Sequence, residues 1–359
     1  KLNDGIGTPI ANGTMLLALF QCIFVTGAGA CLYKTVRHFA DQKIAWIAYG
    51  FYFILGGLSA WIMIPYSDST GIIFPVFLFW LYVKLKETEA AKKKCVLLFL
   101  MFFLCYIGFE IKPMAAIVMI AVAAVEGIHF IGKLLKKQIV WKKSVLACCL
   151  SAVLGIGAAA GGVSAVVGSL HFPVVTDTVL GWQHHMMLGL NKDTNGGYSQ
   201  ADFDYSTSFS SAEEQHAAEL KEIGKRLKDF GIGGYLQHFV KKSARNYFDG
   251  CFGWGGLGET FYTEIFPERG TVLCSLIRSL YYDNTEDTLY RYQALFRQIL
   301  WYMVLVLVPF SVFTKRPLDK KRQVAVLSVL GLMLYLQIFE AHARYLYTFV
   351  PLFVFLATE

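Results

Sequence analysis

Charge is what this chain has least of. Only 16% of its 359 residues are Asp, Glu, Lys or Arg, where a soluble domain carries about a quarter. That shortage excludes an ordinary soluble protein. A 55% hydrophobic content and a mean hydropathy of +0.48 point instead to a polytopic membrane protein. Cysteine occurs eight times but in no Cys-x-x-Cys pair, and Cys22, Cys31, Cys95, Cys105, Cys148 and Cys149 lie in or beside apolar runs. A disulfide framework is thereby excluded. No Gly-x-Ser-x-Gly elbow, HExxH helix or Walker loop is present, which removes three common catalytic chemistries. The chain opens on Lys1 without a signal peptide and stops just after an apolar run, so a fragment is expected.

What the sequence does have is nine apolar runs. Met15–Tyr33 and Ile44–Ile64 each reach the ~20 residues that cross a bilayer. Ile72–Val83 and Cys95–Phe109 are shorter, with Lys84 and Lys94 able to snorkel to the surface. Met114–Ile131, Ser144–Leu170, Leu295–Phe313, Val324–Ile338 and Tyr345–Leu356 follow. Gly155, Gly157, Gly161 and Gly162 suit close helix–helix approach. The expected fold is an all-α polytopic membrane protein with about nine transmembrane helices and a mainly helical extracytoplasmic segment.

Basic residues set the expected orientation. Lys34, Arg37 and Lys43 lie in one connection, and Lys84, Lys86 and Lys92–Lys94 in the next but one. Lys133, Lys136, Lys137, Lys142 and Lys143 follow, then Lys315, Arg316 and Lys320–Arg322. These four loops hold 18 of the 33 basic residues and alternate without a break. The positive-inside rule makes them cytoplasmic. The chain then divides into helices over 1–170, an extracytoplasmic loop domain over 171–294, and helices over 295–359. The loop domain holds 11 basic and 16 acidic residues. Within it, Ser211-Ala-Glu-Glu214 is a capping box. Leu220, Ile223, Leu227 and Phe230 then repeat at helical spacing and predict an apolar face, ended by Gly231. Gly253-Trp-Gly-Gly-Leu-Gly258 imitates a dinucleotide fingerprint, but no strand precedes it and dinucleotide binding is rejected.

The ionisable residues at span ends are the candidates for chemistry, because charge is costly there and usually functional. Asp68 follows Pro65-Tyr66-Ser67; its plain reading is a turn or helix cap. Lys112 stands before Pro113, where a cation could meet a phosphate or simply snorkel. A helix over Leu336–Leu346 would set Glu340 and Arg344 at i and i+4, close enough for a turn-fixing ion pair. Arg344 is equally the fork that recognises phosphate. Trp182 and His184 are suited to a sugar or headgroup pocket. Adjacent His184 and His185 diverge on a helix, which disfavours a two-histidine metal site.

Four local patterns carry a family resemblance: Thr8-Pro9-Ile-Ala-Asn12, Pro65-Tyr-Ser-Asp68, Ile111-Lys-Pro113 and Phe339-Glu-Ala-His-Ala-Arg-Tyr-Leu346. Through them the chain resembles the GT-C membrane glycosyltransferases, a superfamily that includes protein O-mannosyltransferases and aminoarabinose transferases, and most closely the multi-spanning Gram-positive branch. The resemblance implies a polyprenyl-phosphate-linked sugar donor, a cell-envelope glycan or glycopolymer acceptor and inverting transfer on the extracytoplasmic face of the plasma membrane. Asp68 and Glu340 become the catalytic candidates. Lys112, Arg344, Tyr66, His342, Tyr345, Trp182 and His184 become the substrate-binding set. The principal acid of that family belongs to an earlier external loop and is expected upstream of Lys1, Asp4 being the one carboxylate left nearby. A divalent metal, Mg or Mn, stays open; membrane lipid is a partner and nucleic acid is not. A transporter or flippase of lipid-linked glycans is the alternative, although no internal repeat supports it. An anchored protein whose outer segment binds a wall component is the third reading.

Overall fold

The computed structural model describes residues 9–137, 143–170, 180–255, 270–282, 289–313 and 318–359. Asp4, Lys142, Lys315, Arg316 and the end of the glycine-rich 253–258 loop lie outside the described residues. Among those described, every regular element is a helix.

Helix α1 (Pro9–Phe39) ends on Arg37 and His38, and α2 (Gln42–Tyr52) starts at once, capped by Asp41, whose carboxylate accepts the Ile44 amide at 2.9 Å. The chain then winds through a wide turn at Phe53–Gly57 and a tight one at Ala60–Met63. The Ile44–Ile64 run is therefore not one straight helix. A break at membrane depth frees carbonyls that lipid cannot satisfy. Distant side chains take them here. Arg297 Nη2 donates to the Leu55 carbonyl at 2.7 Å, Tyr347 to Gly56 at 2.8 Å and Tyr281 to Leu58 at 2.9 Å.

Helices α3 (Ser67–Gly71) and α4 (Ile73–Glu87) together make one span, followed by α5 (Ala91–Ile111), α6 (Ile117–Leu135) and α7 (Lys143–Ser169). Helices α5 and α7 pair closely. Of the four glycines expected to permit this, Gly155 alone sits at the contact, where a Cβ would collide with the Phe99 carbonyl. Gly157, Gly161 and Gly162 face open space.

The described part of the segment between the membrane helices is helical too, with α8 (Trp182–Gly189), α9 (Gln200–Thr207), α10 (Ala212–Tyr247) and α11 (Val272–Tyr281). Ser211 caps α10 by accepting the Glu214 amide, and Gly231, at φ +56°, divides the helix in two. The expected apolar face is half right. Ile223 and Phe230 are buried, but Leu220 and Leu227 remain 47% and 42% exposed. The buried stripe continues instead through Gln215 and Glu219, because a polar network lies beneath it.

Helix α12 (Leu289–Phe310) starts at Leu289, ahead of the expected Leu295, and α13 (Lys320–Ile338), α14 (Arg344–Tyr347) and α15 (Val350–Thr358) complete the chain. Seven described helices are long and apolar enough to cross a membrane. The remaining two expected crossings, Ile44–Ile64 and Tyr345–Leu356, are interrupted segments, the first broken at Phe53–Gly57 and Ala60–Met63 and the second divided into α14 and α15. Gln21 in α1 donates to the Ile64 carbonyl at one end of the bundle. At the other end Arg322, near the start of α13, pairs with Glu359. Helix α15 is the centre of the bundle, with Val350 through Leu356 all buried. Between lipid and protein no transfer term drives that burial, so close packing must hold it. Trp301 lies edge-on to Phe353 and to Phe252, each at 5.2 Å. Truncating Phe353 to Ala would open a cavity costing about 3–5 kcal/mol.

Candidate functional site

One end of the bundle is rimmed by lysines. At the opposite end, three sequence-distant connections meet. Asp68 sits in the first turn of α3, Lys112 links α5 to Pro113, and Glu340 lies in the 339–343 connection just before Arg344 opens α14. Gly71 lets the first two approach, since a Cβ there would stand 3.3 Å from the Lys112 Cβ.

Asp68 is 1% exposed and holds two cations. Lys112 Nζ donates to its Oδ1 at 2.7 Å, and Arg344 Nε lies 3.2 Å from its Oδ2. The second contact is one of charge without hydrogen-bond alignment, so the Arg344 Nε is a buried donor with no acceptor. Aromatic faces hold the guanidinium instead, Tyr66 at 4.0 Å and Trp61 at 5.3 Å. Tyr345 stands beside both cations, with Lys112 Nζ 4.7 Å from its ring centroid. Its hydroxyl donates to Glu340 Oε2 at 2.8 Å. A cavity of about 210 Å³ opens here, with Lys112, Glu340, Tyr345 and His185 in its wall beside Tyr335 and Phe339.

The expected pairing of Glu340 with Arg344 does not occur. Helix α13 stops at Ile338, and the connection after it is fastened by the extramembrane segment. The Ala341 amide donates to the Gly196 carbonyl at 2.6 Å, while Lys242 Nζ donates to the Gln337 and Gly189 carbonyls, both at 2.9 Å. Glu340 therefore turns to Tyr345 and His185, the latter at 3.5 Å, and Arg344 turns to Asp68.

Electrostatics follow from burial. Desolvation would raise the Glu340 carboxyl, but His185 and Tyr345 outweigh it and hold the group below its ordinary range. Burial lowers Lys112, with Asp68 opposing. It lowers Lys242 to about 7 against the pull of Glu340. His342 is lowered to about 4 by burial and then by the Arg344 charge, so it is neutral near pH 7. Its Nδ1 accepts the Arg344 amide at 3.0 Å, fixing the start of α14. On its other side His342 faces Gly253, whose φ of +78° and lack of Cβ make room for the ring.

Of the named substrate-binding residues Lys112 and Tyr345 line this cavity, and Arg344 and Tyr66 stack behind it beside Asp68. His342 lines a separate cavity of about 420 Å³ with Arg245 and Asp249. The other two stand apart. His184 turns inward to Ser206, 2.7 Å from its Oγ, and Trp182 is 54% exposed away from the cavity wall. Of the adjacent pair it is His185, not the named His184, that reaches Glu340. Sequence reasoning also passed over Lys242 and over Arg245, whose Nε donates to the Ala341 carbonyl at 3.4 Å, because mid-helix lysines and arginines ordinarily mark a solvated face. Among the described residues no group of three His, Cys, Asp or Glu side chains could hold a metal ion.

Buried charges at the end of an apolar bundle define the class: a polytopic α-helical membrane protein with a polar site at one end. The chain belongs to a family described as conserved hypothetical integral membrane protein, whose model matches residues 12–359. No curated protein and no solved structure matches it.

Proposed function

We propose that the protein transfers a sugar from a polyprenyl-phosphate-linked donor to a cell-envelope acceptor, using the Asp68 end on the extracytoplasmic side. The observation that carries this reading is the buried Asp68 carboxylate holding two cations, one of which, Lys112, lines a cavity together with Glu340. Such a cluster is retained against its desolvation cost, and a phosphate that re-partners Lys112 gives it a purpose. Lys112 is the cation on the cavity wall, so it meets the donor phosphate first. Arg344 behind it then keeps Asp68 neutralised. Glu340 also lines the cavity, ionised and reachable, which suits it to accept the proton of an acceptor hydroxyl. The acceptor oxygen attacks the anomeric carbon, its proton passes to Glu340, and the sugar–phosphate bond breaks. Polyprenyl phosphate leaves against Lys112, which Asp68 releases to it while staying paired with Arg344. Asp68 is thus better suited to organising cations than to acting as the base.

The test is turnover by purified protein in liposomes supplied with polyprenyl-phosphate sugars. Glu340→Gln should lower the rate ~10²-fold or more, and Arg344→Lys should raise the donor KM by replacing a planar fork with a point charge. Wild-type protein inert with every donor, or a Glu340→Gln variant of full activity, would refute the proposal. Cysteine labelling of intact cells tests the side assigned. After removal of native cysteines, position 198 should label without permeabilisation and position 93 only with it.

A further inference from the structure

A second cavity lies at the lysine-rimmed end, far from Asp68. It has a volume of about 510 Å³ and is walled by α4, α5, α6 and α7. Its two ends differ chemically. Deeper in, Leu98, Met101, Phe102, Met119 and Val122 line it without a polar atom in their side chains beyond the methionine sulfurs. At the mouth stand Lys86, Lys94 and Glu126.

The mouth carries an unbalanced charge. Glu126 is already shared, with Lys86 Nζ at 3.0 Å, Lys320 Nζ at 2.8 Å and the Tyr82 hydroxyl at 2.7 Å. Two cations therefore surround one carboxylate. Lys94 adds a third, and among the described residues no acid pairs with it. It is partly buried on the same cavity wall as Leu98 and Phe102. Lys92 and Lys93 extend the same sign outside. A positive mouth on an apolar shaft, opening at a helix end, fits an amphiphile with an anionic head.

We propose that this cavity binds one anionic phospholipid, with its headgroup phosphate on Lys94 and Lys86 and an acyl chain along Leu98, Phe102 and Met119. The apolar shaft between α5 and α6 gives the chain its seat. The ligand is distinct from the donor assigned to the Asp68 end, and the inference does not depend on that assignment.

Native mass spectrometry of the delipidated full chain tests it, with phosphatidylglycerol, phosphatidylcholine and free glycerol phosphate as probes. Phosphatidylglycerol should be retained at least 10-fold more strongly than phosphatidylcholine, and glycerol phosphate should not bind. Lys94→Gln should abolish the preference between the two lipids while leaving the thermal midpoint of the lipid-free protein unchanged. Met119→Trp, which fills the shaft, should weaken both lipids alike. Equal retention of the two lipids by wild-type protein would overturn the proposal. So would an undiminished preference in Lys94→Gln, or binding of free glycerol phosphate as strong as that of the lipid.

Discussion

The two ends of the bundle hold the same ingredients in opposite settings. At the lysine-rimmed end, Glu126 is 36% exposed and Glu87 30%, each among several cations. At the other end Asp68 is 1% exposed and its partners Lys112 and Arg344 only 11% and 14%. Water screens the first set, so each pair is worth a few tenths of a kcal/mol up to about 1. The second has lost its hydration, and a buried pair repays that loss poorly compared with apolar packing. Charge at the exposed end costs little to keep, so its presence alone does not mark a reaction site. Charge at the buried end is retained against its cost, which is why function is assigned there.

The largest effect should come from deleting the shared acid. Asp68→Ala leaves Lys112 and Arg344 buried together without a counter-charge and should cost about 3–5 kcal/mol, read as a fall in thermal midpoint in detergent. Adding Lys112→Met should recover part of it, a rescue that simple loss of packing would not show. Next is pH. The folded pKa of His342 is lowered to about 4 from an ordinary 6.5, so between those values the unfolded chain binds more protons. Stability should fall as pH drops from 6.5 toward 4, and His342→Gln should flatten that part of the curve. A slope unchanged in the variant would mean that other groups govern it. Ile223→Asp should then destabilise by roughly 2 kcal/mol or more by burying an unpaired charge, whereas Leu227→Asp, at an exposed position, should stay within about 0.5 kcal/mol. A small effect is expected at the other end too, where Glu126→Gln should cost less than about 1 kcal/mol and be weakened further by salt. A Glu126 variant as damaging as Asp68→Ala would erase the contrast between the two ends.

Much of the fold was legible because lipid is a demanding solvent. Apolar runs of sufficient length mark the spans, and all seven continuous ones coincide with runs in the sequence. The breaks were not legible. Phe53–Gly57 stays as apolar as its neighbours, and what permits the interruption is Arg297 and Tyr347, more than two hundred residues away in the chain. The candidate site divides similarly. Position at span ends puts Asp68, Lys112, Glu340 and Arg344 at one depth, and the structure brings all four together. Their pairing depended on whether the helix ran on past Ile338. That was decided by Gly196 and Lys242, from a segment whose docking no local pattern reveals. The choice between His184 and His185 rested on the rotation of α8, a matter of one residue that spacing could not fix.

The central claim is that Lys112 and Arg344 form a phosphate site in the resting embrace of Asp68. Equilibrium binding of a short-chain polyprenyl phosphate, compared with the corresponding polyprenol, tests it most directly. The phosphate should bind at least 10-fold more tightly than the alcohol, and Lys112→Gln or Arg344→Lys should each remove most of that difference. Equal affinity for phosphate and alcohol, or a preference untouched by both substitutions, would contradict the claim and leave the cluster as a structural ion pair.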